Sequence, residues 1–177
     1  MRINPYKPKD FDEFWESRVN KWMVDGIRSC VVSQTNIGAT TLIFCYIDFF
    51  GSLLKRRGSP RERFYIMVDK YFAPYNKKYN TYKCTLYENF RCSLVHEGIM
   101  KKGTGIFRSD NPEDRDYQHF GNHNGALFLD LIQLSNDFYS AIKDLKRDID
   151  SDKKLKNRVL KRVRDDLKWS LPEEINS

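Results

Sequence analysis

TTLIFCYIDFFGSLLKRR, residues 40–57, is the stretch on which the fold turns. It is apolar around most of its circumference, which marks the most buried helix of a packed protein rather than a surface one. One narrow polar line interrupts it. Thr41, Cys45, Asp48, Ser52 and Lys55 alternate spacings of four and three, so they stack along one edge of the helix. The apolar run from Thr41 to Leu54 is too short to span a bilayer and contains Asp48, so no membrane partner is expected.

Helical signals extend outward on both sides. Upstream, Asp10 is an N-cap with Glu13 three residues on, and Phe11, Phe14, Trp15, Val19, Trp22, Met23, Ile27, Cys30 and Val31 form a helical stripe to about Ser33. Downstream, Gly58 stops the central helix, Ser59 caps the next, Pro60 occupies its first turn and Glu62 completes a capping box. Phe64, Met67, Val68, Tyr71 and Phe72 give this third helix an apolar side, and Pro74 ends it. A fourth helix is expected over roughly Thr81 to Val95. Gly98, Gly103, Gly105, the run NPEDRD and the run GNHNG then read as an irregular insertion over 98–125, a loop or small hairpin.

From Ala126, the positions Leu127, Leu131, Leu134, Phe138, Ala141, Ile142, Leu145 and Ile149 recur at threes and fours, predicting a long amphipathic helix to about Asp150. A last helix, from about Lys153 to Trp169 within the basic segment 151–170, puts Leu155, Val159, Val163 and Leu167 on one face. The fold class expected is all-α: a single domain over 1–177, a bundle of five to six helices with the insertion between helices four and five.

Composition agrees with one domain. A chain of 177 residues with 40% apolar and 14% aromatic content can bury one good core. Its net charge of +7 favours polyanionic partners. The first ten residues, MRINPYKPKD, hold no apolar signal core, and Cys30, Cys45, Cys84 and Cys92 form no CxxC pair, so a cytoplasmic protein with reduced thiols is expected. Cys92 with His96, and His119 with His123, have spacings of four that a zinc ion uses. Gly121 and the neighbouring asparagines place the second pair in a loop, and supporting acids are missing, so no metal is expected.

LYENFRCSLVHEG, residues 86–98, ends the fourth helix with an arginine and a histidine separated by four residues. The bare spacing carries little; its place in the last turn of an amphipathic helix, before Glu97 and a loop-starting glycine, carries more. RCSLVHEG resembles the R-x4-H signature of the HEPN superfamily, helical-bundle proteins that include many metal-independent ribonucleases. The resemblance implies that the motif ends a central helix and that two subunits pair so that their motifs face a shared cleft. It implies an endoribonuclease without cofactor, a toxin or defence effector, with RNA, a second copy of the chain and a cognate antitoxin or defence partner as partners. Cys92 departs from the family pattern, which usually has asparagine, aspartate or histidine after the arginine. A non-catalytic HEPN-like RNA- or protein-binding module is therefore the alternative.

Chemically, such a pair suffices because RNA carries its own nucleophile, the 2′-hydroxyl. His96 would move protons near neutral pH, and Arg91 would hold the phosphoryl oxygens as charge builds. One histidine cannot be base and acid at once, so a two-fold dimer completes the site. Asp48, an acid on the most apolar helix, needs a partner, and Arg91 is the natural one. Tyr87, one turn before Arg91, is a candidate for stacking or phosphate binding, and Cys92 and Glu97 flank the pair. On the last helix, Lys154, Arg158, Lys161 and Arg162, with Lys153, Lys156 and Arg164, would hold an RNA backbone. The bland alternative is that His96 favours the helix C-terminus and Arg91 pairs with Glu88 or Glu97.

Overall fold

The structure, a computed structural model, describes residues 10–55 and 57–165. The chain is mostly helical, as expected, and where a loop or small hairpin is expected between helices it carries a small three-stranded mixed sheet. Helix α1 (residues 11–32) joins an α-helical turn Phe11–Phe14, a wide π-helical stretch Trp15–Val24 and an α-helical end Asp25–Val32. Asp10 caps it, its carboxylate accepting from the Glu13 N–H at 2.8 Å. Trp22 departs from the expected stripe: it is 59% exposed, under the Arg18 guanidinium at 4.2 Å. The wide turns change the helical period there, so positions spaced for 3.6 residues per turn rotate off the buried face.

Helix α2 (Asn36–Leu54) is the central element. It begins before the apolar run, at Asn36, and so is long and apolar enough to cross a membrane; half of its apolar window is buried inside the protein. Four neighbours meet its aromatic side chains. Phe50 packs on Trp15 of α1 and on Phe138, with ring centroids 6.0 and 6.3 Å apart, and Phe44 packs on Phe64 and Phe90 at 6.1 and 5.7 Å. Burying each such ring contributes about 1.5–3 kcal/mol.

Helix α3 runs over 60–72 as Pro60–Met67 continued by wide turns Val68–Phe72. The expected capping box is present, with Ser59 and Glu62 bonding reciprocally. A short helix α4 (Lys78–Thr81) precedes α5, which spans 83–96 as Lys83–Thr85, wide turns Leu86–Cys92 and the α-helical end Ser93–His96. Helix α6 (Leu131–Ser151) and helix α7 (Lys153–Asp165) follow the sheet. Leu155, Val159 and Val163 of α7 are buried as expected; Leu167 lies outside the described residues.

The insertion is where the sequence reading changes most. Strand β1 (Thr104–Phe107) pairs in parallel with β3 (Ala126–Asp130), and β2 (Gly121–His123) pairs antiparallel on β3's other side. Ala126–Asp130 is thus a strand, not the start of the long helix. Leu127 and Leu129 alternate inward along it, and Asp130 caps α6 by accepting from the Ile132 N–H at 3.0 Å. Asn124 and Gly125 both have positive φ, 52° and 80°, the turn that an Asn-Gly pair forms between antiparallel strands. Gly105 and Gly121 both face Phe128 in register; a Cβ on Gly105 would lie 2.4 Å from the Phe128 ring, so only glycine lets it lie across the sheet. Arg108 fastens the sheet to the α1–α2 corner, donating to Val31 O at 2.8 Å.

His119 sits at the junction of sheet and helices. Its Nδ1 accepts from the Asp130 N–H at 3.1 Å, and its ring lies against Phe120 and Tyr79. Burial lowers its pKa to about 4, Lys78 adding to the effect against Asp130. The unfolded chain, with an ordinary histidine, takes up the proton first, so this contribution to stability is full above pH ~6.5 and falls away towards pH 4. About 3 kcal/mol is expected to be lost across that window. His119→Asn, which keeps an acceptor but cannot be charged, should flatten urea midpoints measured from pH 7 to 4.5; an unchanged pH dependence would refute the assignment.

Candidate functional site

Helix α5 buries Leu86, Tyr87, Phe90 and Leu94 against the core, which leaves Arg91 on the edge that faces α2. There the polar line of α2 meets it. Arg91 Nη2 pairs with Asp48 Oδ2 at 2.5 Å, and the two side chains are only 15% and 17% exposed. Arg91 Nη1 lies 3.4 Å from His96 Nε2. A guanidinium only donates, so in that contact the imidazole nitrogen is the acceptor.

The backbone changes type within the pair: the wide turns Leu86–Cys92 include Arg91, and Ser93–His96 is α-helical. Ser93 Oγ donates to the Glu88 carbonyl five residues back at 3.1 Å. The helix then ends at His96, and Gly98 takes a positive φ of 73° as the chain turns away. His96 is therefore exposed while Arg91 is held.

Electrostatics fix the guanidinium. Burial opposes its charge, but the Asp48 carboxylate outweighs that and raises the Arg91 pKa above its usual value. Cys45, one turn before Asp48, has its thiol pushed up by burial, with Arg91 acting against the rise, so it stays protonated. Among the described residues no acceptor reaches the buried Arg91 Nε.

The other candidates divide. Tyr87 is 8% exposed, with its ring edge-on to Phe64 at 5.5 Å and guanidiniums of Arg61 and Arg91 5.6 and 5.7 Å from its centroid. No face is left for a base, so Tyr87 packs and spaces. Cys92 is half-buried beside the Tyr87 hydroxyl, whose pKa is raised by burial and then by that thiol. Glu97 is exposed at the helix end and Glu88 pairs with Arg61, so neither takes Arg91. Arg61 is the residue that sequence reading missed. It sits in a capping sequence on another helix, and only the packing of α3 against α5 brings it to Tyr87.

Among the described residues, the contacts of Arg91, His96 and Asp48 run to α2 and α5, and none runs to the basic helix α7. On α7, Lys154, Arg158 and Lys161 form an exposed stripe with Lys153 beside it, Arg162 is half-buried, and Lys156 pairs with Asp150 at 2.8 Å. The two zinc-spaced pairs do not converge, and among the described residues no three His, Cys, Asp or Glu side chains are placed to hold a metal ion.

The chain matches no protein-family model, no curated protein and no solved structure. Function therefore rests on the cluster's own geometry. Asp48→Asn tests the part that holds Arg91: leaving that charge buried without its carboxylate is expected to cost about 1–3 kcal/mol. Chemical denaturation reads the loss, and a cycle with Arg91→Gln should show strong coupling; additive losses would mean that the pair is not a unit.

Proposed function

We propose that this chain is a HEPN-like endoribonuclease that cleaves RNA through attack of the 2′-hydroxyl, without metal. The observation that supports it best is the convergence of three side chains. Arg91 and His96 meet at 3.4 Å at a helix end, and Asp48 fixes Arg91 from the central helix. In this reading the helices form the HEPN-like bundle and the sheet is its insertion.

Each residue has a task. Arg91, always charged, lies against the phosphodiester and stabilises the charge that builds on its equatorial oxygens. His96, exposed at the rim, removes the 2′-hydroxyl proton; the oxygen closes on phosphorus, and the 5′-oxygen leaves with a proton from a second histidine. A two-fold dimer supplies that histidine, and Val95 and Ile99, 38% and 65% exposed beside the motif, offer apolar surface for the contact. The products are a 2′,3′-cyclic phosphate and a 5′-hydroxyl. A toxin or defence effector held by a cognate antitoxin or defence partner is the role that suits such an enzyme, in the cytoplasm.

Cys92 favours a second reading, a non-catalytic module that binds RNA or protein, because it stands where the family resemblance leads one to expect a polar residue. An RNA oligonucleotide and its fully 2′-O-methylated copy separate the two. The enzyme cuts the first and spares the second; a module that binds both and cuts neither ends the ribonuclease reading.

A further inference from the structure

We infer that Arg61 is a phosphate-binding residue of this site, holding the backbone of single-stranded RNA next to the phosphodiester at Arg91. The inference rests on the RNA reading above for its ligand. Arg61 leaves the first turn of α3 and crosses to α5, where its guanidinium lies 5.6 Å from the centre of the Tyr87 ring. Arg91 lies 5.7 Å from the same centre. One buried tyrosine therefore spaces two guanidiniums that, at 5.6 and 5.7 Å from the shared centre, are at most about 11 Å apart, within the reach of phosphates along one strand. That strand is single, because in-line attack by a 2′-hydroxyl needs a backbone free to rotate.

The two arginines differ in what holds them. Asp48 locks Arg91, with side-chain exposures of 15% and 17%. Glu88 pairs with Arg61, but those side chains are 53% and 33% exposed. An exposed ion pair is worth only about 0–1 kcal/mol, so a phosphodiester can take Glu88's place at little cost. Glu88 thus masks Arg61 until a strand arrives. The same arrangement continues outward: Tyr65 meets Tyr87 at 6.2 Å, and Lys83 lies 5.2 Å from the Tyr65 centroid while paired with Asp69. Cations backed by tyrosine rings and covered by exchangeable carboxylates thus mark a track from Arg91 past Arg61 towards Lys83.

Fluorescence anisotropy with a 2′-O-methylated single-stranded RNA, which cannot be cut, tests this across a salt series. Arg61→Gln is expected to weaken binding about 5–10-fold at low salt and to reduce the slope of log K against log salt by about 0.7, one phosphate contact on a single strand. Arg61→Lys should keep the slope. Glu88→Gln should tighten binding about 2–3-fold by unmasking Arg61. Lys143→Gln, on the exposed face of α6, should change neither. An unchanged slope in Arg61→Gln, or weaker binding in Glu88→Gln, would overturn the inference, and so would a wild type that does not bind. A wild type that binds with the expected slopes but never cuts unmodified RNA removes the ribonuclease reading alone; one that cuts while Arg61→Gln binds normally removes this inference alone.

Discussion

Gly51→Ala is expected to destabilise the protein by about 3 kcal/mol or more, despite alanine's better helix propensity. Propensity alone would favour alanine by up to about 1 kcal/mol in a helix interior. Sterics decide otherwise. A Cβ at Gly51 would lie 1.9 Å from the Arg63 carbonyl oxygen and 2.5 Å from its carbon, both backbone atoms that cannot swing aside. Helices α2 and α3 would have to part where they pack most closely, and that movement would carry Asp48 and Arg61 with it. Urea unfolding reads the cost, and a midpoint equal to or above that of the wild type would refute the close crossing.

His96→Ala is expected to lower the rate of RNA cleavage by about 10²–10⁴-fold, the range that a proton-transferring side chain contributes. Arg91→Ala should cost about 10²–10³-fold, as loss of a charge-stabilising donor does. The variants should differ in stability as well. Asp48 is 17% exposed at its side chain, so losing Arg91 strands it, whereas exposed His96 can go with little effect on the fold. Single-turnover rates with matched thermal melts separate the effects. A His96→Ala enzyme of wild-type rate would remove the histidine from the chemistry whatever Arg91 does.

Short-range signals in this chain were legible because their partners lie within one turn. Asp10 and Ser59 cap helices as expected, each fixed by a residue three positions on. The central helix and its link to Arg91 were legible for another reason: an acid on so apolar a helix must be compensated, and Asp48 is. Ala126–Asp130 reads two ways in sequence, because Leu127 and Leu131 fit a helical spacing while Leu127 and Leu129 fit the strand that forms. The Asn124–Gly125 pair was the signal for the hairpin. Nothing local announced the parallel pairing of β1 with β3, which depends on register between distant segments. The wide turns of Leu86–Cys92 were equally silent, as was Arg61, whose neighbours come from another helix.

One assay decides whether Arg91 and His96 form a cleaving site. Wild type, Arg91→Ala and His96→Ala are incubated with single-stranded RNA in excess chelator, and the ends of the products are identified. 2′,3′-Cyclic phosphate ends are expected from the wild type, with a loss of at least about 10²-fold in both variants. Equal cleavage by all three proteins, or none by the wild type, would contradict a cleaving site there.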